Sequence, residues 1–113
     1  MSPTVKIAYK ILTPEQFAAL LEDRFSGAPV DIADGYIHLS TAAQLDETLR
    51  KHFTGQDDLV ITAVDLAALG NTLRWEVSRG GQLFPHVYGP LGRAHVLAHG
   101  PLAWENGSAR LPV

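Results

Sequence analysis

From Val5 to Leu12 apolar and polar residues alternate, with Val5, Ile7, Tyr9 and Ile11 set against Lys6, Ala8 and Lys10. A period of two predicts a strand with one face on the core. The period then lengthens. Phe17, Leu20, Leu21 and Phe25 follow helical spacing, Thr13 stands where a cap belongs, Pro14 suits a first turn and Gln16 completes a capping box, so a helix is predicted with Gly27 as its stop. Ser26 to Gly35 reads as a loop too short to separate domains. Tyr36 to Leu39 predicts a short strand running into a second helix. Ser40 or Thr41 would cap that helix, Leu45, Leu49 and Phe53 form its apolar stripe, Arg50, Lys51 and His52 close it and Gly55 ends it.

Asp58 to Leu66 reads as a more buried strand, rich in β-branched residues. A short turn or single helical turn around Ala67 to Gly70 leads to Leu73 to Ser78, which alternates again, Leu73, Trp75 and Val77 opposing Arg74, Glu76 and Ser78. After a turn at Gly80 and Gly81, Leu83 to Tyr88 is extended but interrupted by Pro85, which predicts an edge or irregular strand. Ala94 to His99 is the last predicted strand, and the tail beyond Pro101 is expected to pack through Trp104. The order β-α-β-α-β-β-β-β predicts an α+β fold, two early helices packed on a curved, mostly antiparallel sheet.

Composition narrows this further. The 113 residues carry a net charge of −3, 46% hydrophobic and 19% charged residues, which suits one globular domain over residues 1–113. There is no cysteine, so disulfides, thiolate metal sites and cysteine nucleophiles are excluded. No apolar run approaches a membrane span, and no basic start with an apolar core suggests a signal peptide, so a cytoplasmic location is expected. The mild acidity argues against a nucleic-acid surface held by charge. Five histidines are the unusual feature.

Three stretches concentrate candidate chemistry. In Asp34-Gly35-Tyr36-Ile37-His38-Leu39-Ser40-Thr41, alternation puts Tyr36, His38 and Ser40 on one face just before a helix N-terminus. That face offers a stacking ring, an imidazole and a hydroxyl to a polar ligand; the plainer reading makes Ser40 or Thr41 a helix cap and leaves His38 solvated. Glu76 lies on a polar strand face between apolar flanks, as a general base or charge-stabilising carboxylate would, or as a glutamate merely paired with Arg74 or Arg79. Phe84-Pro85-His86-Val87-Tyr88-Gly89-Pro90 alternates rings beside rigid turns, as the wall of a binding loop would. His52 reads as a helix C-terminal cation. His95 and His99 are four apart, but no third ligand lies near them in sequence, and no metal is assigned. A second His-x-Ser/Thr motif, Gly-x-Ser-x-Gly and the glycine-rich phosphate loops are all missing.

Several blocks agree in order with one family. Tyr9-Lys10-Ile11-Leu12, the Asp34–Thr41 block, His52-Phe53, Gly55-Gln56-Asp57-Asp58-Leu59, Arg74-Trp75-Glu76 and Phe84 to Pro90 resemble the bacterial DUF952 family, a family of unknown function, over about Val5 to Gly100. The resemblance implies a fold similar to the ADP-ribosyltransferases, a split sheet with an NAD-binding cleft. His38-Leu39-Ser40 resembles the histidine-class motif of those enzymes, with Leu39 at the middle glycine. By that resemblance His38 would hold the adenosine ribose, Ser40 the nicotinamide amide, Tyr88 or Tyr36 would stack on nicotinamide, and Glu76 would be catalytic. Thr41 and His86 complete the expected site, NAD or a related nucleotide being its ligand. The alternative, drawn from the irregular Phe84–Tyr88 wall and the missing glycine, is a non-catalytic small-ligand-binding or protein-interaction module.

Overall fold

The structure is a computed structural model and describes residues 4–113. Its first strand, β1 (Ile7–Leu12), is flanked antiparallel by β3 (Val60–Asp65), which pairs in turn with β6 (Val96–Pro101) to give a sheet ordered β1-β3-β6. A second antiparallel sheet is ordered β2-β5-β4, built from β2 (Ile37–His38), β4 (Leu73–Val77) and β5 (Leu83–Val87). The two meet where Tyr9 and Ser40 exchange backbone hydrogen bonds of 2.7 and 2.9 Å. The helices are α1 (Pro14–Leu21), α2 (Pro29–Asp34), α3 (Ala42–His52) and the single turn α4 (Leu66–Leu69). The fold is α+β with antiparallel sheets; α4 is the single helical turn that was one reading of Ala67–Gly70, and α2 is a short helix beyond those read from the sequence.

Hydrophobic burial explains the layering. Ala8 and Leu12 face a core with Leu20, Ile37, Leu39, Val64, Val87 and Leu91. Tyr9 and Ile11 face a second core with Leu45, Leu49, Leu59, Ile61 and Ala109. The period-two reading gave β1 one solvated face; the strand is in fact covered on both, and Lys10 is only 5% exposed. A strand between two layers needs apolar residues on both faces, and Lys10 is accommodated only because partners reach it there.

Other elements depart from the sequence pattern for local reasons. Thr13 and Gln16 form the predicted capping box of α1, but the helix ends at Leu21, and Asp23 at φ 56° turns the chain so that Phe25 joins the core from outside the helix. Gly27 is therefore not its stop. The supposed loop Ser26–Gly35 contains α2, whose Asp31 accepts the Ala28 N–H at 2.8 Å as an N-terminal cap. Helix α3 starts from Thr41, not Ser40, with Gln44 Oε1 accepting the Thr41 N–H at 3.1 Å.

Strand β5 is the central strand of its sheet, not an edge. Pro85 is tolerated because its carbonyl accepts from Leu39 at 3.1 Å. Its missing N–H lies on that same side, just past the last paired residue of β2, so the proline removes one donor at the end of the ladder and none toward β4. Beyond Pro101 the chain forms a hairpin, β7 (Trp104–Glu105) and β8 (Ser108–Ala109), around Asn106 and Gly107, both at positive φ. Ala109 is its buried residue, whereas Trp104 stays half exposed under Arg50. His95 lies in a 3-10 turn outside β6, so it shares no strand face with His99, whose ring packs on Phe17.

Candidate functional site

Strand register assembles the site. His38 on β2 is opposite His86 on β5, and His86 is opposite Arg74 on β4. The pleat sends these three side chains to one face, together with Glu76 and Tyr88, which lie two residues along their strands. Gly35 closes α2 in the left-handed region at φ 87° and sets Tyr36 over this face. The Tyr36 ring lies 4.6 Å from His38, 4.1 Å from His86 and 5.2 Å from Tyr88. Tyr36, His38, Glu76, His86 and Tyr88 therefore form one group.

Glu76 is its pivot. Oε1 accepts from His86 Nδ1 at 2.8 Å and from the Tyr88 hydroxyl at 2.7 Å. The His86 bond first, then the Tyr88 bond, holds the Glu76 carboxyl below its ordinary value. The same contact raises the Tyr88 phenol, which stays a donor. Donation from Nδ1 makes Nε2 of neutral His86 an acceptor, and that atom makes no hydrogen bond among the described residues. His86 is only 2% exposed, whereas the Glu76 side chain is 38% exposed. Neither arginine suggested as a Glu76 partner pairs with it: Arg74 stacks on Tyr88 at 4.7 Å, and Arg79 meets Glu47 at 3.1 Å.

His38 is held differently. Nδ1 donates to Asp31 at 2.7 Å and Nε2 to Asp34 at 2.9 Å, and carboxylates only accept, so both bonds form together in the doubly protonated ring. Asp31 also takes the His38 N–H at 3.0 Å and the Lys10 ammonium at 2.9 Å. Burial alone would raise Asp31, but the His38 and Lys10 contacts outweigh it and bring its carboxyl down to about 2. Lys10 closes the group by donating to the His38 carbonyl at 3.0 Å.

Ser40 and Thr41 lie apart from this group. Ser40 is buried, and its hydroxyl is 3.1 Å from Thr48 Oγ1. Thr48 spends its own proton on the Gln44 carbonyl, so Ser40 donates. Thr41 serves the start of α3. Leu39 points into the core, and its N–H is bonded to Pro85. Sequence reasoning missed Lys10, Asp31, Asp34 and Arg74. The Asp34-x-x-x-His38 spacing was a usable signal; Lys10 and Asp31 come from elements whose meeting no local pattern records.

Tyr36 also lines a cavity of about 330 Å³ bounded by Phe25, Ile32, Val87 and Pro90, with Asp31 in its wall. That is at the low end of ordinary ligand sites, about 300–1,000 Å³. A smaller cavity of about 220 Å³ lies away from the site, between Leu49, Phe53 and Trp104. Among the described residues no cluster of three or more metal-ligating side chains occurs, and no helix is long and apolar enough to cross a membrane.

Comparison with known proteins places the chain in a family. No curated protein matches it. The crystal structure of protein CC0527 from Caulobacter crescentus is similar at 42% identity and a TM-score of 0.82, covering 92% of this chain and 93% of that one. The solution NMR structure of the same protein gives 43% identity and a TM-score of 0.77, over 93% and 91% of the two chains. The model of the family described as "Protein of unknown function (DUF952)" matches residues 11–99. With most of its length matched in this way, the chain belongs to the DUF952 family.

Proposed function

We propose that the protein binds a nucleotide-class small molecule, NAD or a related compound, on the face of Tyr36, Glu76, His86 and Tyr88, and that ADP-ribosyl transfer is the reaction this face serves. One observation carries the reading: an accessible carboxylate, Glu76, is kept ionised by His86 and Tyr88 among closely packed rings. In such a transfer the bond from the ribose anomeric carbon to the nicotinamide nitrogen breaks, and nicotinamide leaves with the electron pair. Positive charge develops on the ribose, which a fixed carboxylate stabilises. The acceptor then bonds to that carbon and gives up its proton. The division into two three-stranded antiparallel sheets joined at Tyr9 and Ser40 supports the ADP-ribosyltransferase-like reading of the fold.

Calorimetric titration with NAD and ADP-ribose, paired with thermal unfolding, tests it. Heat of binding and a raised melting temperature are expected, since a ligand at a hundredfold its dissociation constant stabilises by about 2.7 kcal/mol. Glu76→Gln is expected to retain binding and lose nicotinamide release. Folded protein that gives neither heat nor a thermal shift at millimolar ligand overturns the reading.

A second reading, a non-catalytic binding module, is favoured by a separate observation. The His38 nitrogens and the Ser40 hydroxyl, which would grip the dinucleotide, are already bonded within the protein. Binding of one partner that is lost in His86→Ala but kept in Glu76→Ala, with no turnover of NAD, would select it.

A further inference from the structure

We infer that Arg74 is the anion-binding group of this face and that the ligand it selects carries a phosphoryl group. The inference rests on the nucleotide reading above and adds the charge of the ligand. Arg74 pairs in register with His86 across β4 and β5, so it leaves the sheet on the face of Glu76 and Tyr88. Its guanidinium carbon lies 4.7 Å from the Tyr88 ring centroid, and the Tyr88 hydroxyl is fixed on Glu76 at 2.7 Å. Packing on a ring that is itself tied down restrains the guanidinium without using any of its N–H donors.

Arg24, Arg79 and Arg110 each meet a carboxylate, as does Lys10. Among the described residues Arg74 has neither an ion pair nor a hydrogen bond, although it is exposed beside Glu76. Lys10 and the ring nitrogens of His38, the other nitrogen groups here, are already bonded to Asp31 and Asp34. An oxyanion reaching this face therefore finds one free cation, and its forked donors suit two oxygens of a phosphoryl group. Tyr36 and Tyr88 supply the adjoining ring surface, so a nucleotide meets both requirements where free phosphate meets one.

Matched ligand pairs differing only in the phosphoryl group test this: AMP against adenosine, and nicotinamide mononucleotide against nicotinamide riboside, titrated by calorimetry. The phosphorylated member is expected to bind roughly tenfold or more tightly, the worth of a charge-assisted pair of hydrogen bonds. Arg74→Gln is expected to bring the members of each pair to equal affinity, and Arg74→Lys to retain part of the difference, since it keeps the charge and loses the fork. Inorganic phosphate is expected to compete with AMP in the parent protein. Equal affinities within a pair, or a preference that survives in Arg74→Gln, overturn the assignment while leaving the nucleotide reading standing. Failure of every ligand, NAD included, to bind the folded protein overturns both.

Discussion

Asp31 does the work of several residues. Its carboxylate caps α2, neutralises Lys10 and fixes both the ring and the backbone of His38. Its side chain is only 2% exposed, so solvent does little to replace a lost contact. Removing one partner of such a buried pair leaves a charge uncompensated, and Asp31→Asn is expected to cost about 3–5 kcal/mol in urea denaturation. The sign of the pH dependence follows from the depressed carboxyl. With the folded group lowered from 3.8 to about 2, its contribution of about 2 kcal/mol is fully present above pH 3.8 and lost as pH falls toward 2. Urea midpoints measured across that range should fall in the parent protein; a flat profile would refute the assignment. Thr62 shows the opposite situation. Its hydroxyl is buried without a partner among the described residues, so Thr62→Val is expected to stabilise the fold by about 1 kcal/mol, read as a higher urea midpoint. At this scale alternation in the sequence already separated Ile37 and Leu39, both buried, from Tyr36 and His38 on the other face. It did not show that the His38 nitrogens are taken, because that depends on two aspartates in another element.

Among the elements, α2 decides most about the site. It carries Asp31 and Asp34, and its last turn aims Tyr36. Gly35 makes that turn at φ 87°, a conformation that strains any residue with a β-carbon. No neighbouring atom of the described residues would meet an added β-carbon there, so the cost of Gly35→Ala is conformational, about 1 kcal/mol by thermal or urea unfolding. A loss of ligand affinity larger than the loss of stability is expected, because Tyr36 moves with that turn. The strong periodic elements, β1, α1, α3, β3, β4 and β6, were legible from hydrophobic spacing, with shifts of a few residues at their ends. Of the short elements, β2 was read within Tyr36–Leu39, whereas α2, β7 and β8 were not, since six residues of helix or two of strand hold fewer than two full repeats of their pattern. Asn106-Gly107 was a readable hairpin signal. The central place of β5 was not, because Pro85 argues for an edge until the end of β2 pairing is known.

At the scale of the whole molecule the β1-β3-β6 sheet separates two apolar cores, one shared with the second sheet and one covered by α3. The Cα radius of gyration is 13.0 Å, close to the about 13 Å of a globule this long. Both cores share the strands β1 and β3, so neither can be exposed without unravelling the sheet that supports the other. A single cooperative transition is therefore expected. Trp75 packs on the first core, and Trp104 belongs to the hairpin whose Ala109 enters the second. Tryptophan emission and far-ultraviolet circular dichroism should trace superimposable urea curves. Separated midpoints would show that the two cores unfold independently.

The amino-acid sequence by itself determined the α+β class, the main apolar stripes, the capping of α1 and the stretches in which candidate chemistry is concentrated. Those follow from short-range periodicity and local hydrogen bonding, which a linear pattern records. Only the tertiary structure decided that Lys10 is buried, that Asp31 and Asp34 consume His38, that Ser40 turns to Thr48, and that Glu76, His86 and Tyr88 form one hydrogen-bonded group beside Arg74. Each of these depends on register between strands distant in sequence, or on a helix docking against a sheet. Charges and hydrogen-bond donors act over a few ångströms of space, whatever their separation along the chain.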